Sequence, residues 1–272
     1  MTSTRRRFSI TQARTQKPSL AEVKAIGQPA EIFDRHSAEH WAGRLYMRRL
    51  SPHLTRALLP TSVSPNALTG LMSVVGLAAA ALLSLNGLAA ALGAVLLIQL
   101  QLLLDCSDGE LARVRGQSSP AGIYLDRIGH YLTEAALPIG LGIRADGGWH
   151  SLGGWTTLGL VLSVMVLLIK SETVLVNVAR AESGRAKAED APAVAAPRGG
   201  LLRRLRSALG VLPFYRAFVA VEFSLLAFCA AIADAAAGDQ IGSRVLVIAL
   251  LPVGAVTLVG HLVAILASDR LR

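Results

Sequence analysis

Six stretches of about 20 mostly apolar residues constrain this chain more than any other feature of its sequence. An α-helix of about 20 residues spans the roughly 30 Å hydrocarbon core of a bilayer. A soluble domain would alternate apolar and polar residues more often, whereas the hydrophobic residues here, 53% of 272, come in long blocks. The sequence therefore predicts an all-α integral membrane protein, a bundle of about six transmembrane helices. The predicted spans cover about residues 67–85, 88–104, 121–143, 155–178, 218–237 and 245–267.

The segments before the first span are polar or amphipathic. Residues 1–37 are polar and mixed in charge, and we expect a mobile cytoplasmic tail there. In residues 38–63 apolar and basic side chains recur at helical spacing, which predicts amphipathic helices in the headgroup region, an N-terminal juxtamembrane element. Ser51-Pro52 is typical of a helix start, an N-cap followed by proline at the first helical position. An ordinary soluble amphipathic helix is the alternative.

A six-span catalytic domain is predicted over residues 64–267, with one long interruption. Residues 181–214 combine a linker rich in alanine, proline, glycine and charge with a basic helix in which leucine recurs every four residues. We expect this segment to lie on the cytoplasmic membrane surface. Residues 268–272 are predicted to form a short cytoplasmic tail.

The basic residues predict the orientation of the chain. The formal net charge is +9, and the basic residues cluster in the N-terminal region, around 113–115, over 180–216 and at the C-terminus, whereas the other loops hold Arg144 and Arg244. Basic residues concentrate in cytoplasmic loops, so a multi-pass protein of a cell inner membrane with both termini in the cytoplasm is predicted. Because the charges flank membrane spans, they favour an anionic lipid surface or a phosphorylated substrate over nucleic acid.

Ionisable residues stand at the ends of two predicted spans, where they are costly and usually mark a function. Asp105 and Asp108 are three residues apart and share a helix face, as do Asp126 and His130, four residues apart. A turn at 116–120 makes the two helices an antiparallel pair, so both pairs lie near the cytoplasmic ends of neighbouring helices. Converging carboxylates repel one another without a cation, and hard oxygen ligands favour Mg2+ or Mn2+, in a pair of ions suited to phosphoryl transfer.

The same stretch carries a longer motif, D-x-x-D-G-x-x-A-R, then eight residues, G, three residues and D. This motif resembles the signature of the CDP-alcohol phosphotransferase (CDP-alcohol phosphatidyltransferase) family. The resemblance extends to the six spans, the juxtamembrane helix and the Ser-Pro-Asn start of the first span, and so covers about residues 38–267. The residues in register with the signature are Asp105, Asp108, Gly109, Ala112, Arg113, Gly122 and Asp126.

The resemblance implies a reaction and a set of roles. An acceptor hydroxyl attacks the phosphorus on the lipid or alcohol side of the donor's pyrophosphate, and CMP leaves. The residues implied to hold a metal pair are Asp105, Asp108 and Asp126, and those implied to line the pocket for the CDP moiety are Asn66, Gly109, Ala112, Arg113 and Gly122. A homodimer is also implied.

One position departs from the family pattern. Where the family usually has the aspartate proposed as general base, this chain has His130. Histidine is a base near neutral pH, and its neutral nitrogen also ligates metals. Three interpretations stay open: His130 is the catalytic base beside Asp126, it marks a subgroup with an unusual acceptor, or activity has been lost. Glu134, one turn further on, either orients the imidazole or is an unrelated buried carboxylate.

Other ionisable residues in the spans allow two interpretations each. Lys170 and Glu172 are either acceptor-site groups or pair with each other or with a neighbouring helix. His261 is more typical of a packing residue than of a ligand. Arg127 either contacts a phosphate or extends to the membrane interface.

These observations favour a membrane phosphotransferase of phospholipid biosynthesis. The leading hypothesis is that it joins the phosphatidyl group of CDP-diacylglycerol to an alcohol or alcohol phosphate. The reverse assignment, a soluble CDP-alcohol donor and a lipid acceptor, fits the same motif. A small cation transporter would need ionisable residues near mid-bilayer, and an inactive membrane scaffold would bind lipid without releasing CMP.

Overall fold

The computed structural model describes residues 8–16, 18–30, 41–186 and 214–271. All regular secondary structure within these ranges is helical, which confirms the predicted all-α fold class. The basic helix predicted within residues 181–214 lies outside the described residues.

The α-helices of the described residues include two short N-terminal helices, one helix of eleven residues and six longer helices. In chain order they are α1 Ile10–Gln16, α2 Leu20–Gly27, α3 Arg48–Leu58, α4 Pro65–Leu83, α5 Leu88–Arg115, α6 Pro120–Ala145, α7 Gly154–Glu182, α8 Ala220–Ala237 and α9 Ile241–Leu266.

Five of these helices are long and apolar enough to cross a membrane, namely α4, α5, α7, α8 and α9. The remaining predicted span forms α6, whose 26 residues extend about 39 Å at 1.5 Å per residue. Its length is sufficient to cross a bilayer, but it carries Asp126, Arg127, Glu134 and Arg144. The chain is therefore a multi-pass helical membrane protein in which the predicted third span is interrupted by charge.

The chain divides into two compact units. The first comprises the described residues of Met1–Gly76 and Leu97–His130, and the second comprises those of Leu77–Leu96 and Tyr131–Arg272. The division falls inside α4, α5 and α6, so each of these helices contributes residues to both units. Every residue of the predicted signature belongs to the first unit.

The N-terminal helices α1 and α2 pack into the core of the first unit. Phe8, Ala13 and Val23 are buried there, and a capping box formed by Ser19 and Glu22 begins α2. Their buried neighbours are Leu59, Leu68, Met72, Leu104, Leu111 and Val114. The expectation of a mobile tail is therefore wrong for the described part of this segment, because its few apolar side chains are spaced to meet the core.

Residues 41–58, which precede the first span, form a continuous helix. Gly43–Met47 is a π-helical turn that runs directly into α3, so Pro52 lies inside the helix. Proline has no N–H for the carbonyl four residues earlier, and that carbonyl oxygen, of Arg48, instead accepts a hydrogen bond from Gln28 Nε2 at 2.8 Å. The predicted helix start at Ser51-Pro52 is therefore wrong, because a side chain distant in sequence replaces the missing donor.

Local signals set the starts of the two helices that flank α5 in sequence. Ser64 Oγ accepts from the Ala67 N–H at 3.1 Å, and Ser119 Oγ accepts from the Gly122 N–H at 3.1 Å, so both serines are N-caps. In the turn after α5, Gly116 has a φ of 66°, a left-handed conformation that favours glycine. The predicted starts of α4 and α6 and the turn before α6 are confirmed.

Arg115, at the C-terminal end of α5, holds the loop that leads into α4. Its guanidinium donates to the carbonyl oxygens of Val63 at 2.5 Å, Leu58 at 2.8 Å and Thr61 at 2.9 Å. These bonds fix the loop to α5 and so set where α4 begins, with Asn66 in its first turn.

In the second unit, the buried Arg144 joins three helices and a turn. It is 1% exposed, and its Nε donates to Asp234 Oδ2 and Ser243 Oγ at 3.2 Å each. Its Nη1 donates to the carbonyl oxygens of Leu85 at 2.7 Å and Gly87 at 3.2 Å. The ion pair and these bonds connect α6, α8 and α9 to the turn between α4 and α5.

Candidate functional site

Three of the predicted site residues converge in the first unit. One ligand atom from each of Asp105, Asp126 and His130 lies within 4.8 Å of the others. His130 Nε2 is 3.2 Å from Asp105 Oδ1 and 3.5 Å from Asp126 Oδ1. The side chains of Asp105, His130 and Asp126 are 26%, 34% and 41% exposed, so the group is partly dehydrated and still open to a ligand.

Helix geometry brings these residues together. Asp126 and His130 are four residues apart on α6 and share a face, as predicted, while Asp105 belongs to α5. Next to His130, Gly129 lets α6 approach α4 closely, since a Cβ there would lie 2.3 Å from Ser73 Oγ. A side chain at that position would displace the ends of the Ser73 and Met72 side chains.

Two carboxylates and an imidazole at these distances can act in two chemical states. A protonated imidazole pairs with both carboxylates. A neutral imidazole offers its Nε2 lone pair beside two carboxylate oxygens, and this donor set fits a divalent metal ion. The three side chains therefore form a group that could hold a metal.

Asp108 lies one turn along α5 from Asp105, but it is not part of the close three-residue group found among the described residues. It is 7% exposed, and Thr69 Oγ1 donates to its Oδ2 at 2.5 Å. Thr69 was not predicted as a site residue. It lies three residues after Asn66 on the same helix face, and this spacing could have indicated that it belongs to the site.

Asn66 and Gly122 are neighbours, as their shared predicted role requires. A Cβ on Gly122 would lie 3.1 Å from Asn66 Oδ1 and 3.4 Å from Ser119 Oγ. The glycine therefore leaves room for the Asn66 amide against the first turn of α6.

Arg113 lies over Gly109 on the surface of α5. A Cβ on Gly109 would lie 3.1 Å from Nη1 and 3.3 Å from Nη2 of Arg113, so the glycine makes space for the guanidinium. Arg113 Nε donates to the Gly27 carbonyl oxygen at 2.7 Å. Ala112, beside Arg113 in the sequence, is half-buried.

Glu110 is the residue of this stretch that sequence reasoning missed. It is 0% exposed, its Oε1 accepts from Gln28 Nε2 at 2.8 Å and Ser51 Oγ at 2.5 Å, and its Oε2 accepts from Thr55 Oγ1 at 2.8 Å. Arg48 Nη1 is 3.7 Å from Oε1. Glu110 therefore fastens α2 and α3 to α5, and its charge within a long apolar helix was the signal that could have found it.

Other predicted ionisable residues pair within the second unit. Lys170 Nζ pairs with the buried carboxylate of Glu134, and Glu172 Oε2 lies 2.8 Å from His261 Nδ1. Lys170 and Glu172 thus pair with residues of neighbouring helices and not with each other, and the Glu134 carboxylate is engaged by a lysine. In the first unit, Arg127 is exposed.

Comparison with known proteins agrees with the resemblance that the motif indicated. A family model described as CDP-alcohol phosphatidyltransferase matches residues 62–267, most of the chain. The matched range contains all the converging residues described above. No curated protein matches the chain significantly.

Proposed function

The chain belongs to the CDP-alcohol phosphatidyltransferase family, and we propose that it transfers the phosphatidyl group of CDP-diacylglycerol to an alcohol or alcohol phosphate in phospholipid biosynthesis. Family membership makes it a phosphotransferase that uses a CDP-alcohol donor and an alcohol acceptor. The observation that carries the proposed transfer is the convergence of Asp105, Asp126 and His130 within the matched region. The apolar helices around them favour a lipid-linked donor such as CDP-diacylglycerol.

We propose that a divalent metal ion is held by Asp105, Asp108 and Asp126, while His130 Nε2 stays uncoordinated and able to accept a proton. Carboxylate oxygens are hard ligands that favour Mg2+ or Mn2+, and we propose a pair of ions. Metal bound there would polarise the phosphoryl group and neutralise the charge that develops on the departing CMP. The hydrogen bond from Thr69 fixes the orientation of the Asp108 carboxylate.

The CDP moiety would bind beside the start of α6 and the last turns of α5. Arg113 would donate charge-assisted hydrogen bonds to the pyrophosphate, and the Asn66 amide would bind the nucleotide part. Gly109, Ala112 and Gly122 lack bulk, so the nucleotide can approach the helix backbones.

His130 would accept the proton of the acceptor hydroxyl. As the hydroxyl oxygen attacks the phosphorus of the phosphatidyl group, the new P–O bond forms, the P–O bond to CMP breaks, and the proton passes to the imidazole. The carboxylates of Asp105 and Asp126 lie beside Nε2 and would stabilise the resulting imidazolium. Histidine thus takes the role that an aspartate usually has in this family.

We further propose that the protein is a homodimer of a cell inner membrane, with both termini and the site on the cytoplasmic side. The distribution of arginine and lysine among the loops supports this orientation. Single cysteines at exposed Gln117 and His150, in a background without Cys106 and Cys229, test it. An impermeant maleimide should label position 117 from the cytoplasmic side and position 150 from the other side, and the reverse labelling would contradict the orientation.

The decisive test of the reaction is a CMP-release assay. Purified protein in liposomes would receive CDP-diacylglycerol, Mg2+ or a chelator, and a panel of alcohols and alcohol phosphates, with product masses read out. We expect Mg2+-dependent CMP release together with a phosphatidyl-alcohol product. CMP release only from a soluble CDP-alcohol with a lipid acceptor would establish the reverse assignment. Cation flux without CMP release would indicate a transporter, and lipid binding alone an inactive scaffold.

A further inference from the structure

The Arg113 side chain is held by the end of a helix far away in the sequence. Its Nε donates to the carbonyl oxygen of Gly27 at 2.7 Å, and Gly27 lies 86 residues earlier in the sequence. Gly27 is the last residue of α2. The last carbonyls of a helix have no partner within the helix and lie at the negative end of its dipole, so they bind a guanidinium well. This bond fixes the plane of the guanidinium above Gly109.

The same end of α2 is fastened to α5 by the next residue. Gln28 Nε2 donates to Glu110 Oε1 and to the Arg48 carbonyl oxygen, at 2.8 Å in both cases. Gly27 packs so closely there that a Cβ would lie 3.3 Å from both Cβ and Cγ of Glu110. The position of the Gly27 carbonyl therefore depends on the contacts of Gln28 and Glu110.

Glu110 itself has little freedom to move. It is fully buried, and the hydroxyls of Ser51 and Thr55 donate to its two carboxylate oxygens. Hydrogen bonds to a buried carboxylate are short and strong. Glu110 and Arg113 are three residues apart, on neighbouring positions of one helix face, so two consecutive residues of the N-terminal segment contact both of them.

We infer that Gln28 and Glu110 are positioning residues for the donor site, acting through the Gly27 carbonyl on Arg113. This inference rests on the proposed function, in which Arg113 binds the pyrophosphate of a CDP-linked donor. Neither residue touches the donor. Their contacts set the orientation in which the Arg113 guanidinium meets the pyrophosphate, so the N-terminal helices are part of the nucleotide site.

A role of this kind predicts a defect in nucleotide binding and not in the chemical step. Loss of the Gln28 amide should weaken CDP binding and raise KM for the CDP-linked donor by about five- to tenfold, the scale of one well-oriented hydrogen bond. Because His130 and the aspartates are unaffected, kcat should change by less than about twofold.

The test compares Gln28→Ala and Glu110→Gln in the full-length protein, with Gln16→Ala as the matched control. Gln16 is exposed on α1, in the same N-terminal segment. CDP affinity is measured by titration calorimetry in detergent, KM and kcat by CMP release, and folding by thermal unfolding. If Glu110→Gln does not fold, Gln28→Ala carries the test alone.

A double-variant cycle separates positioning from a general loss of stability. Arg113→Lys removes the Nε–H that donates to the Gly27 carbonyl oxygen. Adding Gln28→Ala to Arg113→Lys should therefore have no further effect on CDP affinity. Additive effects would overturn the positioning role, as would unchanged CDP affinity and KM in Gln28→Ala of an active protein. A parent protein that neither binds CDP nor releases CMP would overturn both this inference and the proposed function.

Discussion

His130 Nε2 lies 3.2 Å from Asp105 Oδ1, although the two residues are 25 positions apart and belong to different helices. The same nitrogen is 3.5 Å from Asp126 Oδ1. One ring nitrogen thus faces both carboxylates, so a proton or a metal ion bound at that nitrogen interacts with all three side chains. The first prediction follows from this arrangement.

Replacing His130 should remove the base. We expect His130→Ala to lower kcat by about 100-fold or more, since a general base typically contributes that much, and to lose the pH dependence that protonation of the imidazole gives the parent protein. His130→Asp restores the carboxylate usual in the family and should keep measurable turnover with a different pH profile. The measurement is the pH dependence of CMP release. An unchanged profile in His130→Ala would exclude this histidine as the base.

Thr69 should affect activity because its hydroxyl orients the Asp108 carboxylate. Thr69→Val removes the hydroxyl that donates to the Asp108 carboxylate, and a hydrogen bond to a charged group contributes about 1.5–3 kcal/mol, so kcat/KM should fall by about 10- to 100-fold. Thr69→Ser keeps the hydroxyl and is the control that should retain most activity. Equal activity in Thr69→Val and the parent protein would show that this bond does not orient a functional carboxylate.

Gly122 should be required for CDP binding because it has no side chain. In Gly122→Ala the new Cβ would lie 3.1 Å from Asn66 Oδ1, and the displaced amide should weaken CDP binding by at least about fivefold. The matched control is Gly260→Ala on α9, where a Cβ would meet nothing within 4 Å. CDP titration of both variants measures the effect, and equal affinities would contradict the role of this contact.

Asp146 should contribute stability that depends on pH. It caps α7 by accepting hydrogen bonds from the Gly153 N–H at 2.8 Å and the Thr156 N–H at 2.7 Å. Burial raises the pKa of Asp146, but the hydrogen bonds from Thr156, Gly153 and Trp155 outweigh it and lower the pKa from its ordinary value of 3.8. A lowered pKa in the folded state means that this stabilisation is complete above the unfolded pKa and is lost as pH falls through the folded one.

Thermal unfolding of Asp146→Ala across pH measures this contribution. The variant should unfold at a lower temperature than the parent near neutral pH, and the difference should shrink below about pH 4, where the carboxyl of the parent becomes protonated. A difference that stays constant into strong acid would show that ionisation of Asp146 is not its source.

Much of the fold was predictable because its signals are local. The length of the apolar stretches, the start of the first span at Ser64-Pro65-Asn66 and the turn at 116–120 depend on neighbouring residues, and the structure confirms them. The meeting of Asp126 with Asp105 was also accessible, because helical periodicity and a short turn leave few ways to arrange α5 and α6.

The contacts that were missed join residues far apart in the sequence. Gln28 and Glu110 are 82 positions apart, and Thr69 and Asp108 are 39 apart, so no local spacing reveals either pair. The start signal at Pro52 failed for the same reason, because Gln28 satisfies the carbonyl that the proline leaves without a donor. In the N-terminal segment, apolar residues such as Phe8 are too sparse to distinguish a docked helix from a tail.

The most direct test of the whole account is Mg2+-dependent CMP release by Asp126→Asn and Asp108→Asn, beside Glu182→Gln, an exposed carboxylate at the end of α7. Each aspartate variant should fold and insert like the parent protein but release no CMP at any Mg2+ concentration, while Glu182→Gln should behave as the parent does. Undiminished CMP release by either aspartate variant would contradict a metal-dependent transfer at this site.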